Sequence, residues 1–349
     1  MRIVFFASTS TSECAAYFRG ITRALADRGH RVTFYDAGTA PGAAGATPDA
    51  SSNAGWARLG EAIEVLREER DADMLVNAVG VGDFGTVIGP EILELKRHDN
   101  LVVFWDPDPA QTIERIGAAP DDHVLSRISG YDLVVSRGGS DRIVKAWRRL
   151  GARECAVILD AADPAVNHPV PLEPRFACDL ALHADCAGEI EPRVQELFLN
   201  TALQLPHSSF VLAGRGWGGR VLPPNVRCVG SLGIEDRNAL NSSALAVLSV
   251  CPERTRRLGF CSMAGMLEAA SCGACVIADS WEGLAQFLEP EREVLPAGDA
   301  LEVANWLHWL TRERARELGT AARRRILAAH TYAHRVERLE RLIGAVARV

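Results

Sequence analysis

The sequence predicts an α/β protein with two Rossmann-like, doubly wound parallel sheets, each covered by helices on both faces. Its 349 residues suit two domains of about 150–170 residues better than one. Short apolar runs alternate with helical patterns along most of the chain, which is typical of strands buried on both faces. A proline-rich segment near the middle interrupts this alternation. We therefore expect two domains facing a cleft at the carboxyl ends of their strands, where ligands bind in such folds.

The first half opens with a β-α-β pattern. Residues 2–7 form an apolar run, 13–28 an amphipathic helix ended by Gly29, and 31–35 the next strand. This order predicts parallel strands with a right-handed crossover. Residues 37–55, rich in Gly, Ala, Pro and Ser, are expected to form a flexible loop. Later strands in this half are expected at 74–78, 101–105, 133–136 and 155–159.

Four prolines mark the boundary between the halves. Pro164, Pro169, Pro171 and Pro174 cannot continue a helix or a central strand. We predict an N-terminal domain over 1–163, a linker over 164–175, a C-terminal domain over 176–330, and a final helix over 331–349. Packing of that helix back on the N-terminal domain is one option. The second half should contain strands at 180–183, 210–213, 227–229, 246–250 and 275–278.

Charge and composition limit the classes of partner. A net charge of −7 and a pI near 5.8 give no general attraction to nucleic acid or anionic membranes. Nine cysteines without zinc-ligand spacing indicate reduced thiols. We find neither a secretory signal nor an apolar run of the roughly 18–20 residues that cross a membrane. The sequence thus predicts a cytoplasmic protein, and it leaves the oligomeric state open, a homodimer included.

Several short motifs follow one another in an order that is typical of one enzyme class. The most specific is Met266–Ala278, which is similar to the donor motif E-A-x-A-x-G-x-P-V-I-A. The others are Leu159–Pro164 with His168-Pro169, Phe210–Trp217, Asn225–Gly230, Tyr332–Arg335 and Trp105–Pro109. Together they resemble GT-B glycosyltransferases, and the last two resemble the CgeB-like, spore-maturation type. The resemblance implies metal-independent transfer of a sugar from a nucleotide-diphosphate donor, UDP-type, to an acceptor hydroxyl or other nucleophile, with no separate cofactor.

Two positions depart from the family pattern. Retaining members carry a second glutamate eight residues before the motif glutamate, where this chain has Phe260. CgeB-like members often carry an arginine three residues before that glutamate, where this chain has Gly265. The first departure leaves the contact to the sugar 3-hydroxyl, and with it the stereochemical outcome, open.

Candidate donor-binding residues surround the motif helix. Glu268 offers a carboxylate to a ribose diol. The backbone amides of Ser262, Met263 and Ala264, at the start of that helix, suit phosphate oxygens, and Arg256 or Arg257 adds a charged contact.

Other candidates follow the strands of the C-terminal half. Arg215, after Gly214, is expected to neutralise the departing diphosphate. Trp217 either packs on the base or covers the interface. The base pocket is expected at Val229, Gly230, Ser231 and Leu232. His183 and Asp185, which follow the first strand of this half, are candidates for phosphate or sugar contact.

The N-terminal half should bind the acceptor. An inverting mechanism needs a general base, for which Glu13, Asp83 and Asp106 or Asp108 are candidates because each follows a predicted strand. A retaining mechanism needs none. No metal is expected, because the Asp71-Ala72-Asp73 and Asp106-Pro107-Asp108 triplets match a metal-binding DxD motif by letters only.

Two other functions stay open. A sugar-nucleotide epimerase of the same shape would share the donor site, and a degenerate binding protein would fit Phe260 and Gly265. An NAD-dependent enzyme is disfavoured, because residues 7–12 lack the glycines that admit a pyrophosphate.

Overall fold

The computed structural model describes residues 1–8, 12–37, 52–56, 59–78, 83–119, 121–186, 188–257 and 263–346. The chain divides into two compact units. Unit 1 comprises Met1–Asp160 together with Tyr332–Val349, and unit 2 comprises Ala161–Thr331. The prediction of two doubly wound α/β domains is confirmed, since each unit contains one parallel sheet.

Unit 1 has a seven-stranded parallel sheet in the order β3-β2-β1-β4-β5-β6-β7. Its strands are β1 Arg2–Ala7, β2 Arg31–Ala37, β3 Ser52–Trp56, β4 Met74–Ala78, β5 Leu101–Asp106, β6 Leu133–Ser136 and β7 Cys155–Val157. Its helices are α1 Ser12–Asp27, α2 Leu59–Glu68, α3 Asp83–Glu94, α4 Pro109–Ala118, α5 Asp141–Arg149 and, from the end of the chain, α13 Tyr332–Val346. The alternate residues Ile3 and Phe5 of β1 pack into one core with α1.

One expectation for unit 1 is corrected. The loop expected over 37–55 is wrong at its end, because residues 52–55 belong to β3 and pair with β2, Ser52 opposite Thr33. Residues 38–51 lie outside the described residues. The sequence Ser-Asn-Ala-Gly-Trp has little strand propensity of its own, and pairing with β2 determines its conformation.

The end of the chain returns to unit 1. In α13, Val336, Leu339 and Ile343 are buried in the same core as α1. Gly20 of α1 lies against the ring of Tyr332, so that a side chain there would overlap it. The buried Arg335 donates from Nη2 to the Asp160 carbonyl at 3.0 Å. These contacts fix the last helix on unit 1.

Unit 2 has a six-stranded parallel sheet in the order β10-β9-β8-β11-β12-β13. Its strands are β8 Cys178–His183, β9 Phe210–Ala213, β10 Val226–Gly230, β11 Ala244–Ser249, β12 Val276–Asp279 and β13 Leu295–Ala297. Its helices are α6 Glu191–Val194, a π-helical turn Gln195–Leu199, α7 Asn200–Gln204, α8 Ile234–Ser243, α9 Glu253–Arg257, α10 Ala264–Ser271, α11 Ala300–Trp309 and α12 Arg312–Ala329. No helix among the described residues has both the length and the apolar character needed to cross a bilayer.

The proline-rich segment 164–175 lies within unit 2. Its backbone is attached to the end of α8, because the Val170 N–H donates to the Ser242 hydroxyl at 3.2 Å and the Glu173 N–H to the Ser243 hydroxyl at 2.8 Å. Backbone groups that cannot join a sheet are thus satisfied by side chains.

The strand order of each sheet reverses once. In unit 1 the reversal falls between β1 and β4, and in unit 2 between β8 and β11. Adjacent loops diverge at such a point, and ligands of doubly wound folds bind beside it at the carboxyl ends of the strands. We therefore expect the ligand site of unit 2 at the carboxyl ends of β8, β9 and β11.

Candidate functional site

Gly214 joins the carboxyl ends of three strands in unit 2. Its φ of 135° is a conformation that favours glycine, and a Cβ there would overlap the Ala184 carbonyl that follows β8. Its N–H donates to the Gly230 carbonyl, at the end of β10, at 2.8 Å. The ends of β8, β9 and β10 thus approach one another closely.

We expect Gly214→Ala to destabilise unit 2. The strained φ alone costs on the order of 1–3 kcal/mol, and the overlap with a backbone carbonyl adds to it. Denaturant unfolding measures the change. Gly218→Ala is the matched control, since that glycine has no atom within 4 Å of its Cβ position and no positive φ. Equal unfolding midpoints for the two variants would contradict the role of Gly214.

Arg215 is held at this edge by Asp185. The Arg215 N–H donates to Asp185 Oδ1 at 2.8 Å, and its Nε and Nη2 donate to Oδ2 at 2.9 and 2.7 Å. Burial acts to raise the pKa of Asp185, yet the backbone and guanidinium of Arg215 hold that pKa below its usual value. The Arg215 side chain is 73% exposed, so its direction is fixed while its charge stays accessible.

Trp217 is a core residue of unit 2. Its side chain is 3% exposed, and its indole N–H donates to the Ala184 carbonyl at 2.7 Å. A ring buried in this way does not stack on a nucleotide base. Trp217 packs in the core of unit 2, which is neither of the two roles expected for it, packing on the base or covering the interface.

The connection from β10 to α8 contains the residues expected to meet the base. Gly230 ends β10 with a φ of 71°, Ser231 is exposed and Leu232 is half-buried. Gly233 then caps α8, and its carbonyl accepts from the Arg237 N–H at 2.9 Å. The loop therefore offers backbone groups and a hydroxyl beside the end of β9.

Helix α10 carries Glu268 in its second turn. Met263 caps this helix without a side-chain hydrogen bond and is buried, while Ala264 is half-buried. Glu268 is 20% exposed, and its Oε2 lies 3.6 Å from Nη1 of Arg237 on α8. Sequence reasoning had identified Glu268 but not its partner, which is 31 residues away.

His183 ends β8 near the same arginine. His183 is exposed, but the protein atoms around its ring remove part of its hydration and so lower its pKa below the usual range. The charge of Arg237 lowers this pKa further, while Asp185 opposes both effects. His183 is therefore mostly neutral at pH 7. The structure brings His183, Arg237 and Glu268 together at the carboxyl edge of unit 2.

Some predicted site residues lie outside the described structure. Ser262 is among the residues that are not described, and the side chains of Glu13, Asp83 and Arg257 are not described although their backbones belong to α1, α3 and α9. Their roles stay predictions.

Asp106, a candidate base of unit 1, is 1% exposed at the end of β5. Burial raises its pKa to about 7, although hydrogen bonds from the Thr112 hydroxyl at 3.0 Å and the Asp108 N–H at 3.1 Å oppose that rise. Asp108 caps α4 by accepting from the Gln111 N–H at 3.1 Å. Both carboxylates therefore organise the start of α4.

Sequence reasoning missed a buried ion pair beside the switch point. Asp279, at the end of β12, is 1% exposed and forms a bidentate salt bridge with Arg193. Arg193 Nη2 donates to Oδ1 at 2.7 Å, and Nε donates to Oδ2 at 3.0 Å. The Cys251 N–H adds a bond to Oδ2 at 3.3 Å. This pair connects α6, β11 and β12, and the only sequence signal for it is an aspartate that ends an apolar strand.

Residues 193–341 match a family described as glycosyl transferase-like. Comparison of the sequence with curated proteins finds no match. Within the described residues, no three His, Cys, Asp or Glu side chains come together in a way that could hold a metal ion.

Solved glycosyltransferase structures share the fold over nearly the whole chain. Sucrose-phosphate synthase from Thermosynechococcus elongatus is 17% identical, with a TM-score of 0.64 and 99% of each chain covered. Anabaena HepE in complex with UDP-glucose is 13% identical, with a TM-score of 0.68, covering 99% of this chain and 100% of that one. An alpha-glucosyltransferase with UDP and DNA containing an HMU base is 11% identical, with a TM-score of 0.72 and 100% of each chain covered.

The two sheets and these similarities define the GT-B fold. Residues 193–341 match the glycosyl transferase-like family, and the chain as a whole shares the GT-B fold.

Proposed function

We propose that this protein is a metal-independent glycosyltransferase that moves a sugar from a nucleotide-diphosphate donor, of the UDP type, to an acceptor nucleophile. The observation that carries the proposal is a set of charged groups at the carboxyl edge of the unit 2 sheet. Arg215 pairs with Asp185, Glu268 pairs with Arg237, and the charges of Asp185 and Arg237 both act on His183 at the end of β8. HepE binds UDP-glucose and the alpha-glucosyltransferase binds UDP in structures of the same fold, which supports this choice of donor.

Each part of the donor has a matching group in unit 2. The Glu268 carboxylate accepts hydrogen bonds from the ribose diol. The amides of Met263 and Ala264 bind phosphate oxygens at the start of α10. The parts proposed for the Ser262 amide and the Arg257 side chain rest on the sequence alone. Backbone groups of the Gly230–Leu232 loop contact the base.

Arg215 stabilises the leaving group. Transfer breaks the bond between the sugar and the diphosphate, and negative charge develops on the diphosphate. The exposed guanidinium, held by Asp185, supplies a fixed positive charge at the end of β9. In this proposal it takes the place of the divalent cation that other glycosyltransferases use.

The acceptor belongs to unit 1. The carboxyl ends of β1 and β4 flank its switch point, and α1 and α3 are the next helices along the chain. Glu13 and Asp83, at the starts of these helices, are therefore the proposed acceptor-side candidates. Asp106 has a pKa suited to proton transfer, but its side chain is only 1% exposed. We therefore propose that it organises the start of α4 and does not contact the acceptor. The Tyr332–Arg335 motif supports a CgeB-like enzyme.

Glu268→Ala tests the donor site. We expect the dissociation constant for a nucleoside diphosphate to rise by a factor equivalent to about 1.5–3 kcal/mol, the value of a hydrogen bond to a charged group. Calorimetric titration with UDP, GDP and ADP measures it. Glu317→Ala, which removes an exposed glutamate paired with Arg314 on α12, is the matched control.

Three outcomes decide the proposal. An unchanged dissociation constant removes Glu268 from the site. Failure of the wild type to bind any nucleotide favours a binding protein without transferase activity. Epimerised sugar nucleotide formed without an acceptor favours an epimerase.

A further inference from the structure

Arg237 occupies a fixed place in the first turn of α8. Its backbone N–H donates to the Gly233 carbonyl at 2.9 Å, immediately after the loop expected to meet the base. Its side chain is 24% exposed and extends toward α10, where Nη1 lies 3.6 Å from Glu268 Oε2. One arginine thus connects the base-side loop with the glutamate of the donor motif.

The charge of Arg237 also acts on the end of β8. The loss of hydration around the His183 ring lowers its pKa most, and the charge of Arg237 lowers it further. Both effects favour the neutral imidazole. Arg237 therefore contacts the Glu268 carboxylate and influences the His183 ring, which lie on different elements. Since Glu268 is only 20% exposed, water screens its pairing with Arg237 less than it screens a surface pair.

We propose that Arg237 is a positioning residue that orients the Glu268 carboxylate toward the 2′- and 3′-hydroxyls of the nucleotide, and so sets the preference for ribonucleotides over 2′-deoxyribonucleotides. This inference rests on the proposed function. A carboxylate that turns away from the diol loses the hydrogen bond from the 2′-hydroxyl, which is the only group that distinguishes the two ligands.

The test compares ligands that differ only at the 2′ position. Dissociation constants are measured by calorimetry for UDP, GDP and ADP, each against its 2′-deoxy form. We expect the wild type to prefer the ribonucleotide by about tenfold or more, the value of one charge-assisted hydrogen bond. In Arg237→Met the preference should fall to about twofold or less, as in Glu268→Ala, and Arg237→Lys should restore part of it.

Arg292→Met is the matched control, because Arg292 forms an exposed pair with Glu289 in the same unit at 3.2 Å. It should keep the wild-type preference. If the role of Arg237 were purely structural, Arg237→Met would weaken the binding of the ribonucleotide and of its 2′-deoxy form equally. An unchanged preference for the ribonucleotide in Arg237→Met therefore overturns this inference and leaves the proposed function standing. Absence of nucleotide binding in the wild type overturns the proposed function and this inference with it.

Discussion

Arg193→Ala should lower the free energy of unfolding of unit 2 by about 3–5 kcal/mol, the cost of leaving a buried charge without its partner. Asp279 is 1% exposed, and the Arg193 guanidinium donates one hydrogen bond to each of its two oxygens. The same guanidinium donates to the Gly298 carbonyl at 3.1 Å, so its removal also leaves a backbone acceptor without that partner.

Denaturant unfolding followed by circular dichroism measures this loss. Arg220→Ala is the matched control, because Arg220 pairs with Glu191 at 2.5 Å while 53% exposed, and exposed pairs contribute about 0–1 kcal/mol. The double variant Arg193→Ala with Asp279→Asn should recover part of the loss, since it removes the buried charge. A single variant as stable as the control would show that Asp279 finds another partner.

Arg215→Ala should lower turnover by about 10²–10³-fold, the range observed when one group that stabilises a developing charge is removed. The dissociation constant of the donor should change much less, because the guanidinium acts mainly on charge that appears as the bond breaks. Steady-state kinetics with a nucleotide-sugar, combined with titration of the corresponding diphosphate, separate these effects.

Asp185→Asn provides an internal comparison. It keeps the charge of Arg215 but weakens the bonds that fix its direction, so its turnover should fall between those of the wild type and Arg215→Ala. Chelation of divalent cations should leave wild-type turnover unchanged if Arg215 replaces a metal. Full turnover in Arg215→Ala would remove it from catalysis, and loss of activity on chelation would contradict metal independence.

Strands with strong local signals were predictable from the sequence. The predicted runs at 74–78, 133–136 and 210–213 have the same bounds as β4, β6 and β9, because near-continuous apolar residues are typical of strands on a sheet covered on both faces. Two edge strands were missed. β3 contains Ser, Asn and Gly, and β13 contains Pro296, so each depends on pairing with its neighbour, β2 or β12.

Some residues of the candidate site were likewise predictable from the sequence, and others were not. Glu268 and Gly214 were found because their motifs are contiguous in sequence. Asp185 was a candidate because it follows β8, but its pairing with Arg215 was not predicted, and Arg237 was not identified at all. Each of these two residues acts through a partner about 30 residues distant. Trp217 was expected either on the base or over the interface because it follows β9, but its ring is buried in the core of unit 2.

The sequence by itself determined that this protein has two parallel α/β sheets and a donor-type motif on one helix, since both depend on local periodicity and short motifs. Only the tertiary structure decided which charges meet: Arg215 with Asp185, Arg193 with Asp279, and Arg237 with Glu268. Pairing of charges depends on distances between elements far apart in the chain, and no local pattern of residues encodes those distances.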